Sequence, residues 1–130
     1  MNKIHQYSAL CAPTLSQYAE VEACKNSEKD VVKMMQSYQE RALYFTNMMN
    51  EVGLETMMPQ GGIYCFTSVK KLGLTSLEFA EKLIKEKSVA VVPGSVFGQG
   101  GEGYFRACIA TKFDSLQEAA QKIQEFVRAQ

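Results

Sequence analysis

Val89-Ala90-Val91-Val92-Pro93-Gly94-Ser95-Val96-Phe97-Gly98-Gln99-Gly100-Gly101-Glu102-Gly103-Tyr104-Phe105-Arg106-Ala107-Cys108-Ile109-Ala110 decides how this chain folds. Its first four residues read as a short buried strand that stops at Pro93. Gly98, Gly100 and Gly103 then match the spacing G-x-G-x-x-G. In a dinucleotide-binding fold that loop must open a helix, whose N-terminus holds the pyrophosphate. Here the chain runs instead into residues 104–110, a second strand, and no Gly-Lys-Ser/Thr occurs, so neither a Rossmann turn nor a P-loop fits. The glycines serve a tight strand-to-strand connection. Alternation along the second strand puts Tyr104, Arg106 and Cys108 on one face and Phe105, Ala107 and Ile109 on the other.

The same logic extends outward. After the second strand, Ser115-Leu116-Gln117-Glu118 reads as a capping box. It opens a C-terminal helix that buries Leu116, Ala119, Ala120, Ile123, Phe126 and Val127. Before the first strand, Thr75-Ser76-Leu77-Glu78 is another such box, with Phe79, Ala80, Leu83 and Ile84 as the buried face of its helix. Residues 54–58 and 62–69 read as two further strands. Upstream, Val31, Met35, Tyr38, Ala42, Phe45, Met49 and Val52 form one stripe on a helix over residues 28–52, ended by Gly53. That stripe fits a helix lying on a sheet or a dimerising coiled coil, and the strands that follow favour the sheet. A first helix, residues 15–25, starts from a third capping box at Thr14 and Gln17, and Asn26-Ser27 marks a mild boundary. The expected fold is α+β: a two-layer domain with helices on one face of a small, mostly antiparallel sheet.

Composition narrows the function classes. With 130 residues and 46% apolar content, one domain with a real core is expected. Fourteen basic residues balance fourteen acidic ones, and no basic cluster is interleaved with aromatics, which argues against nucleic acid and against an anionic membrane surface. No run is apolar enough for a signal peptide or a spanning helix, so a cytoplasmic location is expected. Cys11, Cys24, Cys65 and Cys108 show no metal-ligand spacing, and no disulfide is expected. Cys65 and Cys108 read as small buried hydrophobes, and the pairs Met48-Met49 and Met57-Met58 as core filler. His5, the lone histidine, has no nucleophile set beside it and reads as solvated surface.

Arg106 is the chemically pointed residue. Dehydrating an arginine within an apolar strand is costly unless a carboxylate or phosphate meets it, and its planar fork suits bidentate pairing with a carboxylate. The alternatives are an arginine in water on an edge strand, or one paired with a glutamate of the chain.

Three segments together resemble fold-type I, class I/II aminotransferases of the aspartate/aromatic branch, which use pyridoxal phosphate. Pro59-Gln60-Gly61-Gly62-Ile63-Tyr64-Cys65-Phe66 is similar to the family's Pro-x-Gly-Gly/Ala-x-aromatic strand. Residues 89–98 resemble its strand and Pro-Gly-x-x-Phe-Gly turn, and residues 103–110 its Gly-x-x-x-Arg strand. Residues 5–14, with Ser16 and Gln17, resemble the segment just after the family's lysine region. The resemblance implies that residues 1–25 are a remnant of a large-domain and interface segment, that the sequence begins inside that larger domain, and that residues 26–130 are the C-terminal small domain. It assigns Arg106 to the substrate α-carboxylate, places Gly62 and Tyr64 near the substrate, and implies a homodimeric parent acting on amino acids and 2-oxo acids.

No segment resembles the family's Ser-x-x-Lys and Arg-x-Gly pattern, its pyridinium-pairing Asp or its ring-stacking aromatic. The resemblance therefore implies pyridoxal phosphate in a longer parent, none in this chain alone, no catalytic residue here, and no activity by itself. Two other readings keep Arg106 or the stripe but not the family: a stand-alone amino-acid-sensing module, and a dimerisation domain. Which amino acid is processed is not legible, because side-chain specificity lies outside these segments.

Overall fold

A computed structural model describes residues 2–8 and 11–130. Met1, Ala9 and Leu10, the last two within the 5–14 resemblance segment, lie outside the described residues. The chain divides into two compact units, residues 1–36 and 37–130, the division falling inside a helix.

The first unit is helical: α1 (Asn2–Ser8), α2 (Thr14–Asn26) and the opening turns of α3 (Glu28–Glu51). No residue of α1 or α2 is buried, and Tyr7 is 91% and Leu15 82% exposed. The capping box expected at Thr14 and Gln17 does not form. Pro13, with φ −54°, is the cap, Thr14 is already helical, and the Gln17 amide donates to the Ala12 carbonyl at 2.8 Å. The α3 stripe is likewise only half used, for Val31 and Met35 are exposed whereas Ala42, Phe45 and Met49 are buried. Helix α3 ends as read, at Gly53 in the left-handed region (φ +80°).

The second unit is the expected α+β domain. Strands β1 (Glu55–Thr56), β2 (Tyr64–Ser68), β3 (Val92–Pro93) and β4 (Tyr104–Cys108) form one sheet in the order β1-β2-β4-β3, every pair antiparallel. Cys65 and Thr67 of β2 face Ala107 and Phe105 of β4 on the buried side, where α3, α4 (Ser76–Lys87) and α5 (Phe113–Arg128) supply the rest of the core. Phe79 of α4 is the hub. It stacks on Phe105 at 4.9 Å between centroids and meets the Phe126 ring edge-on at 5.5 Å. Gln124, read as part of no apolar face, is buried because its amide donates to the Met48 carbonyl at 2.7 Å and to Glu51 at 3.2 Å. No described helix is long and apolar enough to cross a membrane.

Several local expectations are corrected. The Thr75–Glu78 box forms in both directions, but the Ser115–Glu118 box does not, since α5 starts at Phe113 and Ser115 already lies within its first turn. Residues 89–91 have no ladder partner. Only Val92 and Pro93 pair, as suits a proline on an edge strand, and they are half-buried. Residues 54, 57, 58, 62, 63, 69, 109 and 110 fall outside the strands, and Met57 is left 86% exposed instead of filling the core. Ile84 is half-exposed on α4, and Cys108 points out of the core while Cys65 points in.

The glycine-rich connection is tied to α4 by its own polar groups. Ser76 Oγ accepts the Gly103 N–H at 2.8 Å, and Glu102 accepts the Ser76 N–H at 2.8 Å and the Gly103 N–H at 3.1 Å. These N–H donors hold the Glu102 carboxyl below the usual glutamate range. Gly94 and Gly101 pass so closely that a Cβ on Gly94 would overlap the carbonyl oxygens of Gly101 and Tyr104. Gly94→Ala should thus cost about 1–3 kcal/mol, the usual range for overpacking. Gly100→Ala, whose Cβ meets nothing within 4 Å, should cost much less. Urea unfolding midpoints compare the two directly.

A lowered folded-state pKa adds stability that is present above the unfolded value and is lost as pH falls through the folded one. The stability gap between wild type and Glu102→Gln should therefore hold steady above about pH 5 and shrink below the ordinary glutamate range, about 4.3. Thermal melts from pH 7 to pH 3 measure it, and a gap independent of pH rules out the linkage.

Candidate functional site

The pleat of β4 builds the site. With Phe105 and Ala107 buried, Arg106 emerges on the opposite side of the sheet, half-buried, in register with Phe66 on β2 and Val92 on β3. Strand β4 is internal, so the edge-strand reading of Arg106 does not hold. Nor does the glutamate reading: among the described residues no carboxylate lies within 4 Å of its guanidinium.

Aromatic rings surround it instead. The guanidinium carbon lies over the Tyr64 ring at 4.1 Å from the centroid and over the Phe97 ring at 4.5 Å. Phe66 meets Phe97 edge-on at 5.6 Å and Tyr104 at 6.3 Å. Lys70 caps the far end of this face, with its ammonium 4.6 Å from the Tyr104 centroid. The result is an aromatic surface with one cation near its middle whose charge has no anionic partner. Such a surface attracts anions, and a planar one that can take two parallel N–H bonds fits best.

Of the residues singled out from sequence, Tyr64 touches Arg106 directly. Gly62 lies in the turn leading into β2, exposed and in the left-handed region at φ +77°. Phe97 was passed over. Its signal was the Pro-Gly-x-x-Phe-Gly turn, which reads as a connection until the turn is seen to fold back over β4. Cys65 lies beneath the site on the core side, where burial pushes its thiol up to about 11, so it stays protonated and is no nucleophile at neutral pH.

A groove of about 320 Å³ elsewhere in the unit, between residues 88–91 and α5, has the core residues Phe45, Leu116 and Ile123 in its floor. It opens on the helical side of the sheet and does not include Arg106. Among the described residues no cluster of His, Cys, Asp or Glu could hold a metal ion.

The aminotransferase class I and II family matches residues 1–123 of the chain. An aspartate aminotransferase of Pyrococcus abyssi is 42% identical over 130 aligned positions, which take in 98% of this chain and 33% of that protein. The crystal structure of an aromatic aminotransferase from Pyrococcus horikoshii superposes with a TM-score of 0.92 at 40% identity, over 98% of this chain and 34% of that one. An aspartate aminotransferase structure from Thermotoga maritima gives 0.85 at 32% identity, over 97% and 32%. The chain thus spans about a third of the length of the relatives it matches. With residues 1–123 matched by the family, the chain belongs to the aminotransferase class I and II family.

Proposed function

We propose that this chain is the C-terminal small domain of a pyridoxal-phosphate-dependent aminotransferase, residues 26–130, preceded by a large-domain and interface segment over residues 1–25. In this reading the parent is a cytoplasmic homodimer that moves an amino group between an amino acid and a 2-oxo acid. The small domain closes over the substrate, and Arg106 grips its α-carboxylate while Gly62 and Tyr64 line the same face. The observation that carries the reading is Arg106 itself, a half-buried guanidinium on an internal strand, packed on aromatic rings and facing no carboxylate of the described chain. The bare apolar residues of α1 and α2 support a parent whose remainder covers them.

Pyridoxal phosphate supplies the electron sink for such chemistry, but the protein must hold it by a lysine amine, an anion cradle and ring contacts. The described residues do not form that site. Every lysine is exposed or half-exposed, and Lys87 and Lys122 are ion-paired to Glu125 and Glu118 at 2.7 Å. The chain alone should accordingly show no stoichiometric, single-site adduct after incubation with pyridoxal phosphate and borohydride reduction. Intact mass and absorption spectra check this, and a unit-stoichiometry adduct at one lysine counts against it.

In the full-length parent, Arg106→Ala should lower kcat/KM for every amino-acid donor, because all donors share the α-carboxylate. Truncating one partner of a dehydrated charge pair costs about 2–5 kcal/mol, roughly 30- to several-thousand-fold. Arg106→Lys keeps the charge but loses the fork, so it should fall between wild type and Arg106→Ala. Cofactor occupancy should stay near that of wild type. A kcat/KM for Arg106→Ala within about threefold of wild type across donors rejects the assignment.

A further inference from the structure

Phe97 is an aromatic residue without a core to join. It is 47% exposed and stands on a 3-10 turn (Gly94–Phe97) outside the apolar cluster. Its ring neighbours are the Arg106 guanidinium at 4.5 Å and the edge of Phe66 at 5.6 Å. The turn that bears it is held at both ends. The Gly94–Gly101 approach leaves no room for a side chain at either position, and the Gly98 N–H donates to Ser95 at 3.1 Å. Ser76 and Glu102 tie the far side of the loop to α4. A rigidly mounted, half-exposed ring placed over a charged group is poorly explained by packing alone.

An arginine side chain has several rotatable bonds, and ordering them as a ligand arrives weakens binding. Ring faces attract a guanidinium electrostatically without using up its N–H donors as a carboxylate would. Two rings over one guanidinium can therefore fix its orientation while leaving hydrogen-bonding capacity for an incoming group. We propose that Phe97 is a positioning residue for Arg106: together with Tyr64 it forms an aromatic clamp that pre-orders the guanidinium for a carboxylate ligand. The ligand rests on the reading of Arg106 above, whereas the clamp itself does not.

Two measurements separate the ideas. On this chain, proton–nitrogen NMR observes the Arg106 Nε–H signal, assigned by its loss in Arg106→Lys. Ring currents should displace that signal in wild type and in Phe97→Tyr. In Phe97→Leu it should move toward the position of a free arginine while the amide fingerprint of the fold persists. An Arg106 signal that does not move in Phe97→Leu overturns the clamp. Should Phe97→Leu fail to fold, Phe97 is a packing residue and the proposal is likewise overturned.

In the full-length enzyme, Phe97→Leu should lower kcat/KM about three- to thirtyfold for all donors alike, the loss of one cation–π contact, and Phe97→Tyr should restore it. Wild-type kcat/KM in Phe97→Leu, where Arg106→Ala is crippled, overturns the positioning role. If Arg106→Ala is itself unaffected, the carboxylate assignment fails, and the NMR signal alone decides the clamp.

Discussion

The two-residue period of β4 is the constraint on which the rest of the domain depends. One strand has to serve two incompatible surfaces, and alternation lets it do so at no cost in backbone geometry. Phe105 and Ala107 go under the helices, where Phe105 stacks against Phe79 and so against the whole core. Arg106, between them in sequence, is forced to the other side, out of the core and against the faces of Tyr64 and Phe97. A slip of one residue would bury the guanidinium beside Phe79 and expose Phe105. The register with β2, Phe66 against Arg106 and Thr67 against Phe105, is therefore specified from both faces at once.

The glycine-rich connection works on the same strand from the other end. It must turn the chain from β3 into β4 in little space, and it does so by letting Gly94 and Gly101 touch through their backbones. Its exposed amides then need partners. Glu102 and Ser76 provide them, and in doing so also satisfy an N–H of the first turn of α4. One small polar cluster thus sets where the loop sits, where α4 begins and where Phe97 stands. The acidity of Glu102 reports that shared duty, since donated N–H bonds favour its charged form.

What sequence revealed of this chain follows the range of the forces involved. Periodicity is local, so α3, α4, α5, the inward face of β4 and the stop at Gly53 were all legible. The rejection of a nucleotide loop followed from what the glycines lead into, whereas the sheet order β1-β2-β4-β3 rests on long-range pairing that sequence did not reveal. Capping boxes were less reliable. The Thr75 box formed because Thr75 falls at the helix boundary, whereas those at Thr14 and Ser115 failed because helix formation had already started upstream. Strand ends failed for a related reason. Residues 57, 58 and 89–91 have suitable side chains but no neighbour to complete a ladder. The role of Phe97 is long-range in the strict sense, because its meaning lies in Arg106, and only folding brings the two together.

The division of labour along the chain is uneven, in a sequence that spans about a third of the length of the relatives it matches. Residues 37–130 bury an apolar cluster that links α3, the sheet, α4 and α5, and their fully buried side-chain nitrogen and oxygen atoms all have hydrogen-bond partners. That is the description of a domain able to specify its own structure. Residues 2–8 and 11–36 bury almost nothing, although they carry Ile4, Tyr7, Leu15, Tyr18 and Val21. Helices as short as α1 and α2 draw most of their stability from a packed face, not from propensity. Their apolar residues are thus left largely uncovered. The Arg106 site shows the same one-sidedness, with donors and rings in place and, among the described residues, no carboxylate paired with the guanidinium. Each unit thus leaves one face without a partner of its own, α1 and α2 an apolar one and β4 a cationic one.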